Sequence, residues 1–347
     1  GEALLEVCSE GVALLEGLGS EPIAVVAVAG TYRTGKSSLL NHLARGDGTS
    51  TTTPTAFGVG ETTEACTRGV WIARAPPEVR SEDGAAVVLM DTEGLSGPDA
   101  SDTYDAKIFA LGLLLSSYFV LNVVGVIDDA TIERLHLVTQ VTRQIVVASA
   151  PTDDAQKTLA DDDDDGDHPT TNNNGSATTI KRARSLAEHL PPLVVVVRDF
   201  ALRPTREGRP IGDDEYLEDA LRPRGEGKDA AVAKKHAKRD AIRAALRAAF
   251  PRRACATFVR PCVDEADLRS ASALPVEKLR PEFAEKLAAF RRAVFPTKKT
   301  PPSAEESIVV MKGVPAARRK RVVGADCTGP ALAALARAHV ASINAGA

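Results

Sequence analysis

The sequence contains few cysteines and shows no pattern of paired cysteines. Its 347 residues include five cysteines, an odd number, and none stands in a C-x-x-C pair or at a Cys/His spacing that would bind a metal. A disulfide framework is therefore not indicated, and we expect free thiols in the reducing cytoplasm. No basic segment followed by an apolar one stands at the start of the sequence, so a secretory signal is not expected.

The sequence also lacks a strong charge imbalance. A formal net charge of -4 gives no global attraction to nucleic acid or to anionic membranes. The stretch 222–253 is locally basic, with 11 Lys/Arg against 3 Asp/Glu. An apolar stripe of Ile242, Leu246 and Phe250, with no aromatic platform, favours a solvated helix face there. The cluster "ARRKRVV" at 317–323 resembles a nuclear-import signal but is better explained as an exposed basic loop, so no nucleic-acid partner is expected.

Charge is missing altogether from the longest apolar stretch. Residues 108–127, "IFALGLLLSSYFVLNVVGVI", match the roughly 20 apolar residues that a membrane span requires. Serines and an asparagine interrupt the run, and its second half is rich in β-branched and aromatic residues. We therefore predict a core helix that continues to Ser117, followed by a central strand, instead of a membrane span.

Apolar runs alternate with helical patterns along the chain. The segments "IAVVAVAG", "GVWIARA", "AAVVLMD" and "LVVVVRDF" are typical of strands, and the residues between them contain amphipathic helices such as 131–149. This alternation predicts an α/β fold with a mostly parallel central sheet flanked by helices. Residues 151–185 are rich in Asp, Asn and Thr and cannot bury a core, so they are predicted to be a disordered insertion.

The segment "GTYRTGKS", 30–37, fits the phosphate-loop pattern G-x-x-x-x-G-K-[ST] and lies between a predicted strand and a predicted helix. A chance match in a chain of this length occurs with a frequency of roughly one per cent. In such a loop the backbone N–H groups cradle phosphates, Lys36 reaches the β and γ oxygens, and Ser37 ligates Mg²⁺. The fold class predicted is therefore a P-loop NTPase with loop insertions.

The strand "AAVVLMDTEG" supplies a second motif about sixty residues later. Asp91 is placed to hold the Mg²⁺ shell, and Gly94 can offer its N–H to the γ-phosphate. Thr67 is the predicted switch threonine for Mg²⁺ and γ-phosphate, although Thr62 and Thr63 compete for that role. Leu95 stands where Ras-like enzymes place a water-orienting glutamine, so the attacking water must be organised differently.

The usual guanine-reading motif, N-K-x-D, is missing from the whole sequence. The pair Arg198-Asp199 at the end of a late strand can replace it. A carboxylate accepts hydrogen bonds from both N1–H and the 2-amino group of guanine, whereas adenine does not present that pattern.

Together, "GTYRTGKSSLLNHL", "TRGVWI", "VVLMDTEGL", "LHLVTQVTRQI", "VVVVRDFAL" and "HVASINAGA" resemble the large GTPase domain of guanylate-binding proteins, a dynamin-superfamily group related to atlastins. The resemblance implies a GTPase domain at 1–300. It also implies that 301–347 is a basic loop and helix that begins a helical region. A rival interpretation is an atlastin-like membrane-tethering GTPase, and another is a GTP-binding scaffold with negligible turnover.

The resemblance also assigns roles. Arg33 corresponds to an arginine finger supplied in cis when two domains dimerise across their nucleotide faces. Glu93 corresponds to a switch glutamate that organises water, and the pair Arg198-Asp199 corresponds to the residues that recognise guanine. The segment "FVRPCVDEADL" resembles the start of a guanine cap that forms the dimer face. GTP, GDP, Mg²⁺ and a second copy are thus the expected ligands and partners, with membranes reached only through regions outside this chain.

Two departures from the family pattern stand out. Ala65 replaces a serine that contacts the attacking water, and the chain has neither the long helical region nor a C-terminal prenylation box. The predicted catalytic residues are Arg33, Lys36, Thr67 and Glu93. The predicted nucleotide-binding residues are Gly30, Tyr32, Arg33, Thr34, Gly35, Lys36, Ser37, Ser38, Thr67, Asp91, Gly94, Arg198 and Asp199. The predicted metal ligands are Ser37, Thr67 and Asp91.

Overall fold

The structure is a computed structural model of the chain. It describes residues 4–32, 34–44, 57–58, 69–94, 102–148, 180, 182–225, 230–264, 267, 278–296, 311 and 313–346. Most of the predicted insertion, 151–179, lies outside these residues, whereas 182–186 are helical.

Helices and strands are interspersed along the described part of the chain. The helices are α1 (Ser9–Glu16), α2 (Lys36–Ala44), α3 (Asp102–Leu115), α4 (Asp129–Ala148), α5 (Asp213–Ala220), α6 (Ala230–Ala249), α7 (Pro281–Val294) and α8 (Gly329–Asn344). The strands are β1 (Ile23–Gly30), β2 (Val70–Arg74), β3 (Ala86–Thr92), β4 (Tyr118–Val124), β5 (Leu193–Arg198), β6 (Thr205–Arg206), β7 (Arg209–Pro210), β8 (Arg253–Thr257), β9 (Arg321–Val322) and β10 (Ala325–Asp326).

Six strands form one sheet in the order β2-β3-β1-β4-β5-β8. All neighbours are parallel except β2, which pairs antiparallel with β3 at one edge. The chain places β3 and β2 on one side of β1 and β4, β5 and β8 on the other. Such a switch point opens a crevice at the carboxyl end of the strand. The predicted α/β fold with a mostly parallel central sheet is confirmed.

The central strands are buried on both faces, as their uninterrupted apolar runs predict. Successive side chains point to opposite faces because the strand period is two residues. In β1, Val25 and Ala27 pack with α1, α3, α4 and α8, whereas Val26 and Val28 pack with α2 and α7. Two helical layers therefore cover the sheet.

The long apolar run is a helix followed by a strand. Helix α3 ends at Leu115, two residues before the predicted end, and Tyr118 begins β4, which lies between β1 and β5. This interpretation is confirmed. No helix formed by the described residues is long and apolar enough to cross a membrane.

The basic cluster near the end of the chain is used inside the fold. Arg318 pairs with Glu82, and Arg319 pairs with Asp83 and also with Asp326. Lys320 is buried, and its ammonium donates to two carbonyls at the C-terminal end of α3. Arg321 pairs with Asp326 and donates to the Gly324 oxygen. All four cations are thus engaged within the domain, which is not the arrangement of a freely displayed import signal.

Candidate functional site

The phosphate loop connects β1 to α2 at the carboxyl edge of the sheet. Gly30 has φ +155°, and a Cβ built on it would lie 2.0 Å from the backbone oxygen of Asn122 on β4. Gly35 has φ +78°, which L-residues rarely adopt. Both glycines of the motif are therefore required by local geometry, and α2 begins directly at Lys36.

Two polar side chains converge on one carbonyl inside the loop. The Lys36 ammonium donates to the Thr31 oxygen at 3.1 Å, and the Thr34 hydroxyl donates to the same oxygen at 2.8 Å. Burial lowers the pKa of Lys36, while the nearby carboxylates of Asp91, Glu93 and Asp105 act in the opposite direction. The lysine is thus a buried cation with three carboxylates nearby.

Ser37 and Asp91 form the predicted metal pair. The Ser37 hydroxyl donates to Asp91 Oδ2 at 2.5 Å, and Asp91 is fully buried at the end of β3. Magnesium is held in nucleotide sites by one or two protein oxygens together with phosphate and water. Among the described residues no group of three His, Cys, Asp or Glu side chains could hold a metal by itself. The oxygen pair fits a magnesium ion that needs nucleotide phosphates to complete its shell.

Glu93 joins the end of β3 to the segment that precedes β2. Its backbone N–H donates to the Gly69 oxygen at 2.7 Å, and its carboxylate oxygen Oε2 accepts from the Gly69 N–H at 2.8 Å. The Tyr104 hydroxyl on α3 donates to the same Oε2 at 3.3 Å. Glu93 is therefore fixed from two sides, and its partner Gly69 lies two residues after the predicted switch threonine, Thr67, in the sequence.

Gly94 lies against the phosphate loop. A Cβ on Gly94 would lie 2.4 Å from the Tyr32 Cα, which is closer than real Cβ atoms come to another carbon. Only glycine allows the segment after β3 to approach the loop this closely. The D-x-x-G spacing thus has a steric reason in this fold.

The two residues of the proposed base reader have different surroundings. Arg198 is buried at the end of β5, 3.5 Å from the Gly35 oxygen, and its guanidinium lies 5.3 Å from the centroid of the Phe283 ring. Burial lowers the pKa of Arg198, and Asp199 opposes that change. Asp199 is exposed and has φ +54°, so the chain turns outward there.

The structure brings most of the predicted site residues together at one edge of the sheet. The set comprises Gly30, Tyr32, Thr34, Gly35, Lys36, Ser37, Ser38, Asp91, Glu93, Gly94, Arg198 and Asp199. Arg33, Thr67, its alternatives Thr62 and Thr63, Ala65 and Leu95 lie outside the described residues. Sequence reasoning missed Asn122, Tyr104 and Asp105, because each sits inside an apolar or helical segment without a motif of its own.

A phosphate loop at the switch point of a parallel sheet, with an acidic residue ending the neighbouring strand, defines the class of P-loop α/β proteins. A family profile for "Guanylate-binding protein, N-terminal domain" matches residues 2–167 and 166–301. Guanylate-binding protein 6 of Pongo abelii is 32% identical over 344 residues, which cover 99% of this chain and 45% of the relative. Guanylate-binding protein 3 of Mus musculus is 34% identical over 298 residues, 85% of this chain and 42% of the relative.

Guanylate-binding protein 1 of Chlorocebus aethiops is 32% identical over 297 residues, 85% of this chain and 44% of the relative. The chain therefore belongs to the guanylate-binding protein family, as its motifs predict. It spans less than half the length of these relatives.

Proposed function

We propose that this chain is a Mg²⁺-dependent GTP hydrolase that acts as a homodimer. The observation that carries the proposal is the Ser37-Asp91 pair beside Lys36, at the mouth of a loop whose glycines are sterically required. This arrangement matches the needs of a nucleoside triphosphate: backbone amides and a lysine for the phosphates, and two oxygens for the metal. Family membership supports the choice of guanine as the base.

Each residue has a defined part. Lys36 exchanges its contact with the Thr31 carbonyl for the β and γ oxygens, and this exchange keeps the buried cation paired. Ser37 and Asp91, with Thr67, would hold a magnesium ion, which neutralises phosphate charge when bound. Gly94 offers its N–H to the γ-phosphate because its backbone already lies against the loop.

Asp199 makes the base contact within the Arg198-Asp199 pair. Its carboxylate is exposed at the carboxyl edge of the sheet, where a base can reach it. Arg198 lies beneath the phosphate loop and packs against Phe283. We therefore propose that the arginine supports the loop while the aspartate distinguishes guanine from adenine.

Glu93 organises the attacking water. Its oxygen Oε2 is held by Gly69 and Tyr104, and no hydrogen bond to Oε1 comes from the described part of the chain. Arg33 would stabilise the charge that develops on the γ-phosphate, as a finger supplied in cis on dimerisation. The dimer face includes the edge of the sheet that carries the phosphate loop and the segment from Phe258 onward. The product is GDP, and GMP is the alternative product of the same site.

The proposal is tested by GTP turnover per molecule at increasing protein concentration, with Mg²⁺ and with EDTA. We expect hydrolysis that requires Mg²⁺ and a rate per molecule that rises with concentration as dimers form. Tight GTP binding with no turnover at any concentration would instead favour a GTP-binding scaffold, which the alanine at position 65 would explain. Failure to bind GTP would refute the proposed function.

A further inference from the structure

We propose that Asn122, on β4, is a positioning residue that sets the phosphate loop for anion binding. The inference rests on the proposed nucleotide-binding function but concerns a residue outside every motif of the sequence. Asn122 is 1% exposed, and its side-chain amide donates to the Thr34 oxygen at 2.8 Å. Its backbone oxygen meanwhile faces Gly30 so closely that no Cβ fits between them. One residue thus contacts the loop at two points, its first residue and its middle.

The bond to Thr34 has a consequence for the next amide. A peptide unit is planar and trans, so the C=O of Thr34 and the N–H of Gly35 point in opposite directions. Because Asn122 holds the carbonyl toward β4, the Gly35 N–H must point away from β4, toward the concave side of the loop. The N–H groups on that side are the ones that cradle phosphate in loops of this kind.

The other half of the Asn122 amide also points to a functional role. Its oxygen, Oδ1, is buried and receives no hydrogen bond from the part of the chain that the structure describes. An unpaired buried acceptor costs free energy, and a leucine of nearly the same size would avoid this cost. A polar residue here is therefore better explained by the donor it supplies to Thr34 than by its contribution to stability.

The first test uses Asn122→Leu and a fluorescent analogue of GDP in the intact chain. We expect affinity to fall about tenfold or more, the effect of losing one hydrogen bond that orients a binding group, with little change in thermal stability. Tyr118→Phe is the matched control. The Tyr118 hydroxyl is another buried polar group on β4 without a hydrogen-bond partner among the described residues, and it lies at the opposite end of the strand from the phosphate loop. Its removal should leave affinity within twofold.

The second test uses Asn122→Asp, which has the same shape but carries a carboxylate that cannot donate. Once protonated, the introduced carboxyl can donate through its O–H. The loss of nucleotide affinity in Asn122→Asp relative to wild type should therefore become smaller as the pH falls from 8 to 5. The deficit of Asn122→Leu should stay constant over that range. The charged groups around the loop, which include Lys36, Asp91, Glu93, Asp105 and Arg198, are common to both variants. Parallel pH profiles for the two variants would overturn the donor role.

A third measurement does not depend on nucleotide. In the nucleotide-free protein, the Gly35 N–H should be rigid in wild type, with an order parameter of about 0.85, and should fall below about 0.6 in Asn122→Leu. If wild type binds no guanine nucleotide, the proposed function fails while this measurement still decides the role of Asn122. Unchanged affinity or an unchanged order parameter in Asn122→Leu would refute the inference.

Discussion

At the scale of single residues, the phosphate loop contains two long cations with different expected roles. Lys36 is buried and donates to the Thr31 carbonyl inside the loop. Because we propose that it binds the β and γ phosphates, Lys36→Ala should abolish tight GTP binding. Arg33→Ala should leave GTP binding within a few-fold and lower turnover by about 10³ to 10⁵, because a finger acts mainly on charge that develops in the transition state. Titration and single-turnover assays check both. Equal losses of binding and rate in Arg33→Ala would indicate a ground-state phosphate contact.

Base choice is the second prediction at this scale. Asp199→Asn should weaken GTP binding and improve binding of XTP, since the new amide can donate to the 2-oxo group of xanthine but opposes the 2-amino group of guanine. Competition binding of the two nucleotides measures the shift. Arg198→Lys is a suitable control, because it should affect both nucleotides alike if the arginine only supports the loop. A variant that still prefers GTP would place base recognition elsewhere.

Ala65 gives a third prediction. Losing one well-placed hydrogen bond to a reacting group costs roughly 1 to 3 kcal/mol, or about ten- to a hundred-fold in rate. Ala65→Ser should therefore raise single-turnover hydrolysis with little change in GTP affinity. Glu93→Gln in the same background tests whether the water is also organised by the carboxylate. A rate that is unchanged or lower in Ala65→Ser would mean that another group already orients the water.

At the scale of elements, α5 covers the edge of the sheet. The Asp214 carboxylate accepts from the Cys255 N–H at 2.7 Å, and Asp213 accepts from the Thr257 N–H at 3.0 Å. These are backbone groups of the edge strand β8, which would otherwise be open to pairing with another chain. The acidic start of α5, which in sequence is no more than a helix N-terminal signal, thus protects a strand edge.

This contact predicts a stability difference. Asp214→Ala should lower the free energy of unfolding by about 1 to 3 kcal/mol, because the Cys255 N–H loses its acceptor in a partly buried place. Asp214→Asn keeps an oxygen that can accept and should retain most of the stability. Burial raises the pKa of Asp214, so the neutral amide also avoids part of the desolvation cost. Denaturant titration measures both variants, and equal losses in the two would contradict the explanation.

Sequence patterns predicted elements better than the contacts between them. The run 23–30 and the glycine motif after it predicted β1 and the turn into α2, because continuous apolar residues and a glycine motif are local signals. The role of Asn122 could not be predicted, since it depends on which strand pairs beside β1. The same limitation applies to Arg243, which is buried against Asp129 across two helices although its sequence context indicated a solvated basic face.

At the scale of the whole molecule, the two edges of the sheet differ in character. The carboxyl ends of the parallel strands carry the phosphate loop. The segment before β9 packs at the opposite, amino ends, where the Lys320 N–H donates to the Ile23 oxygen at the start of β1. There Lys320 donates to the Leu114 oxygen at 2.8 Å and to the Ser116 oxygen at 3.0 Å, where the end of a helix favours a cation. Burial nevertheless lowers its pKa from 10.5 to about 8. The domain therefore buries a cation far from its site.

His339 on α8 is affected by this arrangement. Burial, and secondarily the charge of Lys320, lowers its pKa from 6.5 to about 4. Between these two values the unfolded chain binds a proton that the folded chain does not, so folding is penalised as the pH falls. The same reasoning for Lys320 gives stability that rises as the pH increases from about 8 to 10.5. For each group, the folded state is therefore more stable at the upper end of the pH interval between its folded and unfolded pKa values.

The acid window gives the clearest test of this arrangement. The free energy of unfolding should fall by up to about 3 kcal/mol between pH 6.5 and 4, since one pKa unit corresponds to about 1.4 kcal/mol. His339→Gln, which keeps a neutral polar side chain, should make the curve less steep in that window. Part of the slope should remain, because burial also lowers the pKa of His136. Asp83 acts only at still lower pH: burial alone would raise its pKa, but hydrogen bonds from Ser81 and Arg319 outweigh burial and lower the pKa from 3.8. Denaturant titrations at half-unit pH steps measure the slope. If wild type and His339→Gln lose stability in parallel from pH 6.5 to 4.5, the buried histidine does not couple folding to pH.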